Sequence, residues 1–415
     1  MSLKEKRNDG RQNIKVTKFI CLSMKKLLAS SLVVMSLTIV LQSNLLYAQP
    51  SLKDPKLKVE ALVSGLSSPT SMLFLDENNI IVLEKDGGVR LVKNEMLQPQ
   101  PLLSLNVDTK NERGLLGIER VGENIFLYAT VKDGQVINRI FKYTLAAGPK
   151  LTNQEVFMDL PGTPATNHQG GKLAVSSDGY LYSVTGELQR NGKDQNIIKG
   201  PDPDFSGAIL KTNPNDGSPA PNNPFKSNNP RDPLNWYQAY GIRNSFGLGV
   251  DPVTGTLWDT ENGDESHDEI NMVTPGFNSG WKLVMGPISG SGITPNDLVN
   301  FPNSKYKDPV LSFMDSFGIT DIEFLNSSKL GAEYANNAFV GDYRHGNLYK
   351  FQLNEDRSGF KLDNPGLEDH VVDNSDELNS IIFGNGFAGI TDIKTGPDGY
   401  LYILSFNDGT IYRIS

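Results

Sequence analysis

Cysteine occurs once in the 415 residues, at Cys21, inside an N-terminal segment that reads as an address rather than a fold. Lys25-Lys26 precede an apolar run from Leu27 to Leu41, and Leu46-Tyr47-Ala48 come just before Gln49-Pro50. Basic, apolar and small residues in that order are the pattern of a secretory signal peptide, so residues 1–48 are expected to be removed near Ala48. Met24 is a conventional start, which leaves Met1–Ser23 as an upstream extension. The rival reading is an uncleaved membrane anchor over Leu27–Tyr47. Gln42, Asn44 and the hydroxyl residues among them leave that run weakly apolar for a spanning helix. Without the leader there is neither a disulfide nor a thiol nucleophile, and a secreted chain then needs a core large enough to stand alone.

Positive charge is scarce too. Beyond residue 48 there remain 31 Lys and Arg against 46 Asp and Glu, a net charge of −15. A surface that acidic repels nucleic acid and anionic lipid, which excludes both as partners and argues against stable membrane insertion of the cleaved form. Helical periodicity is nearly absent, and only Gly331–Asn337 hints at a helical turn. What is present is a rhythm of turn followed by short apolar strand: Asn79-Ile80-Ile81-Val82, Asn124-Ile125-Phe126-Leu127-Tyr128, Asp178-Gly179-Tyr180-Leu181-Tyr182, Thr254-Gly255-Thr256-Leu257-Trp258, His345-Gly346-Asn347-Leu348-Tyr349 and Asp398-Gly399-Tyr400-Leu401-Tyr402. Six such units over residues 49–415 allow roughly 60 residues each, enough for four strands with generous loops. The expected fold is all-β, a six-bladed β-propeller in one domain, with a β-sandwich pair as the alternative. Leu57–Val63 has no unit of its own and is expected to join the last blade, closing the ring without an open edge.

Tryptophan is confined to one stretch, Trp236–Trp281, which also holds Gly241-Ile242-Arg243-Asn244. A guanidinium and an amide beside flexible backbone suit a two-pronged grip on a polar or anionic ligand. The run Glu261-Asn262-Gly263-Asp264-Glu265-Ser266-His267-Asp268-Glu269 then crowds carboxylates together, which is costly unless a hard cation, an arginine or open solvent relieves the repulsion. Upstream, the Pro- and Asn-rich insertion Asn196–Tyr240 is expected to lie over one mouth of the ring and to dock through Phe225 and Trp236-Tyr237.

Histidine is rare, and His267, His345 and His370 sit in polar or acidic surroundings that suit a surface. His168 differs, because Gly170-Gly171 let the backbone come close while the imidazole points outward. A strand at Tyr180–Val184 can return Glu187 to the same side of the ring. A carboxylate that orients an imidazole is how a general base is built near neutral pH.

These motifs together resemble the soluble quinoprotein glucose/sorbosone dehydrogenase family. The resemblance rests on Asn-His-Gln-Gly-Gly at 167–171, Asp-Gly-Tyr-Leu-Tyr-Ser-Val-Thr-Gly-Glu at 178–187, Asn-Pro-Asn-Asp-Gly-Ser-Pro at 213–219, Asn-Pro-Phe at 223–225, Tyr-Gly-Ile-Arg-Asn at 240–244, Asp-Glu-Ile-Asn at 268–271 and Gly-Trp at 280–281. Val63–Pro69 and Gly396–Tyr402 are similar as well. The resemblance implies a propeller that holds pyrroloquinoline quinone (PQQ) over a calcium ion and oxidises the C1 hydroxyl of an aldose to the lactone, with an electron acceptor still to be identified. It makes His168 the base and Glu187 its orienting carboxylate. It places Arg243, Asn244, Arg344 and Asp268 on the cofactor side, and the carbonyls of Gly263 and Asp264 on the calcium.

There are departures from the family pattern. Phe246 stands where a glutamine is common, and Arg344 where a lysine is. Gly389 and Thr391 replace two arginines that hold the cofactor's carboxylates, a loss of roughly 3–6 kcal/mol at ~1.5–3 kcal/mol per bond to a charged group. Two alternatives therefore stay open: a propeller that binds a sugar, polymer or protein without redox chemistry, and a calcium-dependent hydrolase of lactones or phosphoesters with Asn244, Glu261 and Asp268 as ligands.

Overall fold

The computed structural model describes residues 49–197 and 202–415, so the expected leader and its cleavage point lie outside the described residues. Among the described residues, six separate sheets succeed one another along the chain. Their inner strands are Pro69–Asp76, Leu115–Val121, Leu173–Val175, Ser245–Val250, Ile319–Phe324 and Ile390–Thr395. Each inner strand packs against the next, and the last against the first, so the architecture is an all-β propeller. Val59–Val63 pairs antiparallel with Thr410–Ile414, so the N-terminal strand completes the last sheet as expected from Leu57–Val63.

Burial follows position in each sheet. The second strand of the second sheet, Asn124–Asp133, is apolar on both faces and buried from Ile125 to Val131, because neighbouring sheets cover it from either side. Its outermost strand, Lys150–Pro161, is mostly exposed and correspondingly polar. Core clusters bridge adjacent sheets. Met72, Ile80 and Val82 of the first sheet meet Val63, Tyr402, Leu404 and Ile411 of the sixth, which seals the joint between the two.

Three expectations need correction. The turn-and-strand units fall on the second strand of every sheet except the fifth, where Leu348–Phe351 is the third strand and Ala338–Asp342 the second. Asn336-Asn337 provides the turn there, but Ala-Phe-Val-Gly-Asp is a weaker apolar signal than Leu-Tyr. Gly331–Asn337 forms turns rather than a helix. Among the described residues the α-helix is instead Ser375–Ile381, where Asn374 caps the first turn by accepting from the amides of Asp376 and Glu377. Finally, the described residues of Asn196–Tyr240 supply none of the lining of the cavity described below. It supplies the strands Ala208–Thr212 and Tyr237–Tyr240 to the third sheet, and Phe225 docks edge-on to Tyr240 and Phe301.

Candidate active site

The N-terminal ends of the inner strands surround a cavity of about 600 Å³. Every sheet contributes to its wall: Ser68 and Thr70, then Glu112 and Leu116, Gly170 and Lys172, Phe246, Thr320, and Thr391. Loops add Lys85, Asn262, Tyr343, Arg344 and Phe406.

His168 adopts a left-handed backbone conformation, φ 58°, which a side chain tolerates only when surrounding contacts hold it. Those contacts are present. The His168 amide donates to Glu112 Oε2 at 2.6 Å, and the Gly170 amide to Asn244 Oδ1 at 3.2 Å. Asn244 Nδ2 in turn donates to the same Glu112 oxygen at 3.1 Å, so one carboxylate ties the His168 loop to the Arg243-Asn244 loop. Gly170 is required at φ 63°, because a Cβ there would stand 2.7 Å from the Val184 carbonyl.

The imidazole is nearly covered, and its Nδ1 bonds Glu187 Oε1. Glu187 is itself fixed: its Oε2 accepts from the Arg190 amide and from Gln195 Nε2, each at 3.0 Å. Nδ1 is thus committed, and Nε2 is the ring nitrogen left for a substrate hydroxyl. Glu112 and Gln195 were not singled out in the sequence. Glu112 precedes Arg113-Gly114 on a loop with no motif of its own, and only the fold brings it beside residues 56 and 132 positions away.

Arg243 and Asn244 diverge. Arg243 Nη1 donates to the Asn262 carbonyl at 3.0 Å and Nη2 to Asp264 Oδ1 at 2.8 Å, and the guanidinium lies 5.1 Å from the Trp281 ring centre. The Asp264 side chain therefore faces Arg243 and solvent, while Gly263 turns a corner where a Cβ would overlap the Ser266 carbonyl. Asp268 is fully buried behind the wall and accepts from the Gly263 amide, Ser316 Oγ and the Gly318 amide. Among the described residues, no three His, Cys, Asp or Glu side chains converge as a metal cage. Any calcium there would rely on backbone carbonyls such as those of Gly263 and Asp264. Asn244, Glu261 and Asp268, the ligands expected of a hydrolase, are each held by separate protein donors.

The crowded carboxylates are relieved in three ways. Asp264 and Glu265 reach solvent, and Asp268 is saturated with donors. Burial pushes Glu261 up to about 7 and raises Asp259 and Glu269 well above the usual carboxylate range, so protons do the remaining work.

On the sixth sheet, Gly389 sits at φ 82°, and a Cβ there would lie 3.1 Å from the Tyr343 carbonyl and 3.2 Å from its ring. Tyr343 packs where a larger residue at 389 would begin. Thr391 turns its hydroxyl to the Pro69 carbonyl at 2.9 Å. Tyr343 and Phe406 meet edge-on at 5.6 Å on the same wall. Of the cations, Lys172 is clamped between Asp392 at 2.6 Å and Asp321 at 2.9 Å. Lys85 and Arg344 donate instead to neutral carbonyls, those of Thr109 and Ser316. Burial lowers the Lys85 pKa, opposed by the charges of Asp108 and Glu112. A cavity of this size, with aromatic walls and two cations without a carboxylate clamp, fits a flat anionic ring system such as PQQ.

Comparison with known proteins identifies the family and the fold. Residues 66–413 match the family model described as glucose/sorbosone dehydrogenase. The chain is 27% identical to aldose sugar dehydrogenase YliI of Escherichia coli over 386 residues, covering 90% of this chain and 95% of that one. It is 25% identical to quinoprotein glucose dehydrogenase B of Acinetobacter calcoaceticus over 290 residues, 62% of this chain and 59% of the relative. The PQQ-bound aldose sugar dehydrogenase of Streptomyces coelicolor shares the fold, with a TM-score of 0.66 at 22% identity over 89% of this chain and 99% of that one. By its sequence and its propeller, the chain belongs to the glucose/sorbosone dehydrogenase family.

Proposed function

We propose that this protein is a six-bladed, PQQ- and calcium-dependent dehydrogenase that oxidises the C1 hydroxyl of aldose sugars to lactones outside the cytoplasm. The observation that carries the reading is the His168–Glu187 pair, locked on a loop whose glycines line a cavity of about 600 Å³. An aldose C1 hydroxyl becomes a good hydride donor only as its proton leaves, so a base must stand within hydrogen-bond reach. His168 is that base through Nε2, and Glu187 holds the ring and steadies its charge. When bound, PQQ supplies the two-electron acceptor for the C1 hydride. Arg344 would hold it, Asn244 would tie the neighbouring loop to Glu112, Arg243 would brace that loop through Asp264, Asp268 would fix it from behind, and the Gly263 and Asp264 carbonyls would face the calcium. Residues 1–48 are read as a leader removed near Ala48. An uncleaved leader is the alternative, and mass spectrometry of the cellular protein distinguishes the two.

The test is to titrate purified protein with PQQ, with and without calcium, following the cofactor's absorbance, and then to assay dye reduction by several aldoses. Saturable calcium-dependent binding and sugar-dependent turnover are expected. Bound quinone with no aldose oxidised removes the sugar reading. Binding of sugar without turnover supports the second reading, a propeller without redox chemistry, which the cation-free positions Gly389 and Thr391 favour.

A further inference from the structure

The sixth sheet offers the cavity no cation, since Gly389 is packed by Tyr343 and Thr391 is turned to backbone. Lys172 on the third sheet is neutralised by Asp321 and Asp392. An anionic ligand must therefore find its positive charge elsewhere on the wall. Lys85 follows the strand Asn79–Glu84 of the first sheet, and its amide donates to the Ser68 carbonyl at 3.1 Å, which places it beside two more wall residues, Ser68 and Thr70. Its ammonium group donates to the Thr109 carbonyl at 2.7 Å, has no carboxylate within ion-pair distance among the described residues, and keeps further donors for the cavity. Its stem is held under Gly114, where a Cβ would come within 2.8 Å of Lys85 Cγ, so the ammonium group is positioned rather than loose.

We propose that Lys85 is a ligand-anchoring residue that binds a carboxylate of the anionic cofactor and supplies, from the first sheet, the charge that the sixth sheet lacks. The inference rests on the PQQ reading above and assigns the grip to Lys85 in addition to Arg344.

The experiment measures PQQ affinity of the full-length apoprotein by calorimetry in the presence of calcium, for the parent and for Lys85→Gln, Lys85→Met and Lys85→Arg. Loss of one bond between charged groups corresponds to roughly 10- to 100-fold in Kd. Lys85→Gln keeps a polar donor on a slightly shorter stem and removes the charge. It is expected to weaken binding by that factor, while Lys85→Arg recovers most of it and the ligand-free melting temperature barely moves. If the parent binds and Lys85→Gln and Lys85→Met bind equally well, Lys85 is not an anchor and the PQQ reading stands. A lower ligand-free melting temperature in both variants with unchanged Kd assigns Lys85 to holding the Thr109 loop and overturns the proposal. If the parent does not bind PQQ at all, the cofactor reading fails and this inference fails with it.

Discussion

Glu187 meets His168 with one oxygen while the Arg190 amide and Gln195 hold the other, so the carboxylate cannot swing away from the ring. His168→Ala is expected to lower turnover by about 10²–10⁴, the usual worth of general-base assistance, with little change in PQQ affinity. Glu187→Gln leaves the base in place but poorly oriented, and a loss on the order of tenfold is expected. Steady-state oxidation of aldoses with a dye acceptor checks both, and parent-like turnover of His168→Ala removes it as the base. Glu112 is the residue that no motif announced. Its Oε2 gathers the His168 amide and the Asn244 amide group, so Glu112→Ala should release two loops at once and reduce kcat/KM by roughly tenfold or more. A kinetic assay alongside an unchanged circular dichroism spectrum decides that. The His–Glu pair was legible because a Gly-Gly turn and a following strand of known length constrain both ends. Glu112, Lys85 and Gln195 were not, since each is brought in by a different sheet or turn and none carries a local signature.

The short turn Lys193–Gln195 links the site to its support. Gln195 bonds Glu187, and the neighbouring Asp194 is buried and accepts from Ser206 Oγ at 3.2 Å. Burial, reinforced by the charge of Asp204, pushes the Asp194 carboxyl up to about 7 from 3.8. A folded-state pKa above the unfolded one means that the stabilisation is complete below about pH 4 and is lost as pH rises through about 7. Three pKa units correspond to ~4 kcal/mol as an upper bound. The melting temperature is therefore expected to fall between pH 5 and pH 7.5, and to fall less in Asp194→Asn. Equal slopes in the two proteins would show that Asp194 is not the titrating group. Other elements are less legible in the sequence for a physical reason. Gly331–Asn337 hints at a helical turn and goes no further than successive turns, whereas Asn374 offers its side chain to two amides and starts the helix at Ser375. Leu348-Tyr349 looked like the repeat of Leu401-Tyr402, yet it is the third strand because Asn336-Asn337 had already turned the chain into the second.

Sheets arranged in a ring need something at the axis as well as at the joint. The joint was foreseeable, since a strand without a repeat of its own has only the last sheet to pair with. The axis was not, because it depends on residues far apart in the chain. Lys172 of the third sheet lies between Asp321 of the fifth and Asp392 of the sixth, and Asp392 also accepts from Ser71 Oγ and the Met72 amide of the first. Four sheets thus share one buried ionic group. Burial alone would raise the Asp392 pKa, but Lys172 and Lys394 outweigh it and hold the carboxyl well below the usual range. Removing one partner of such a group leaves an uncompensated buried charge, which costs about 3–5 kcal/mol, more than the intact group contributes over an apolar replacement. Lys172→Met is therefore expected to lower unfolding free energy by about that amount. Adding Asp392→Asn to Lys172→Met removes a carboxylate left with Lys394 alone and should recover part of the loss, although two separate destabilising changes would otherwise add. Denaturant melts of the parent, the single variants and the double variant test this. If the double variant is less stable than Lys172→Met by the full cost of Asp392→Asn alone, the two residues do not act as one group, and the ring is held by its apolar joints without help from its axis.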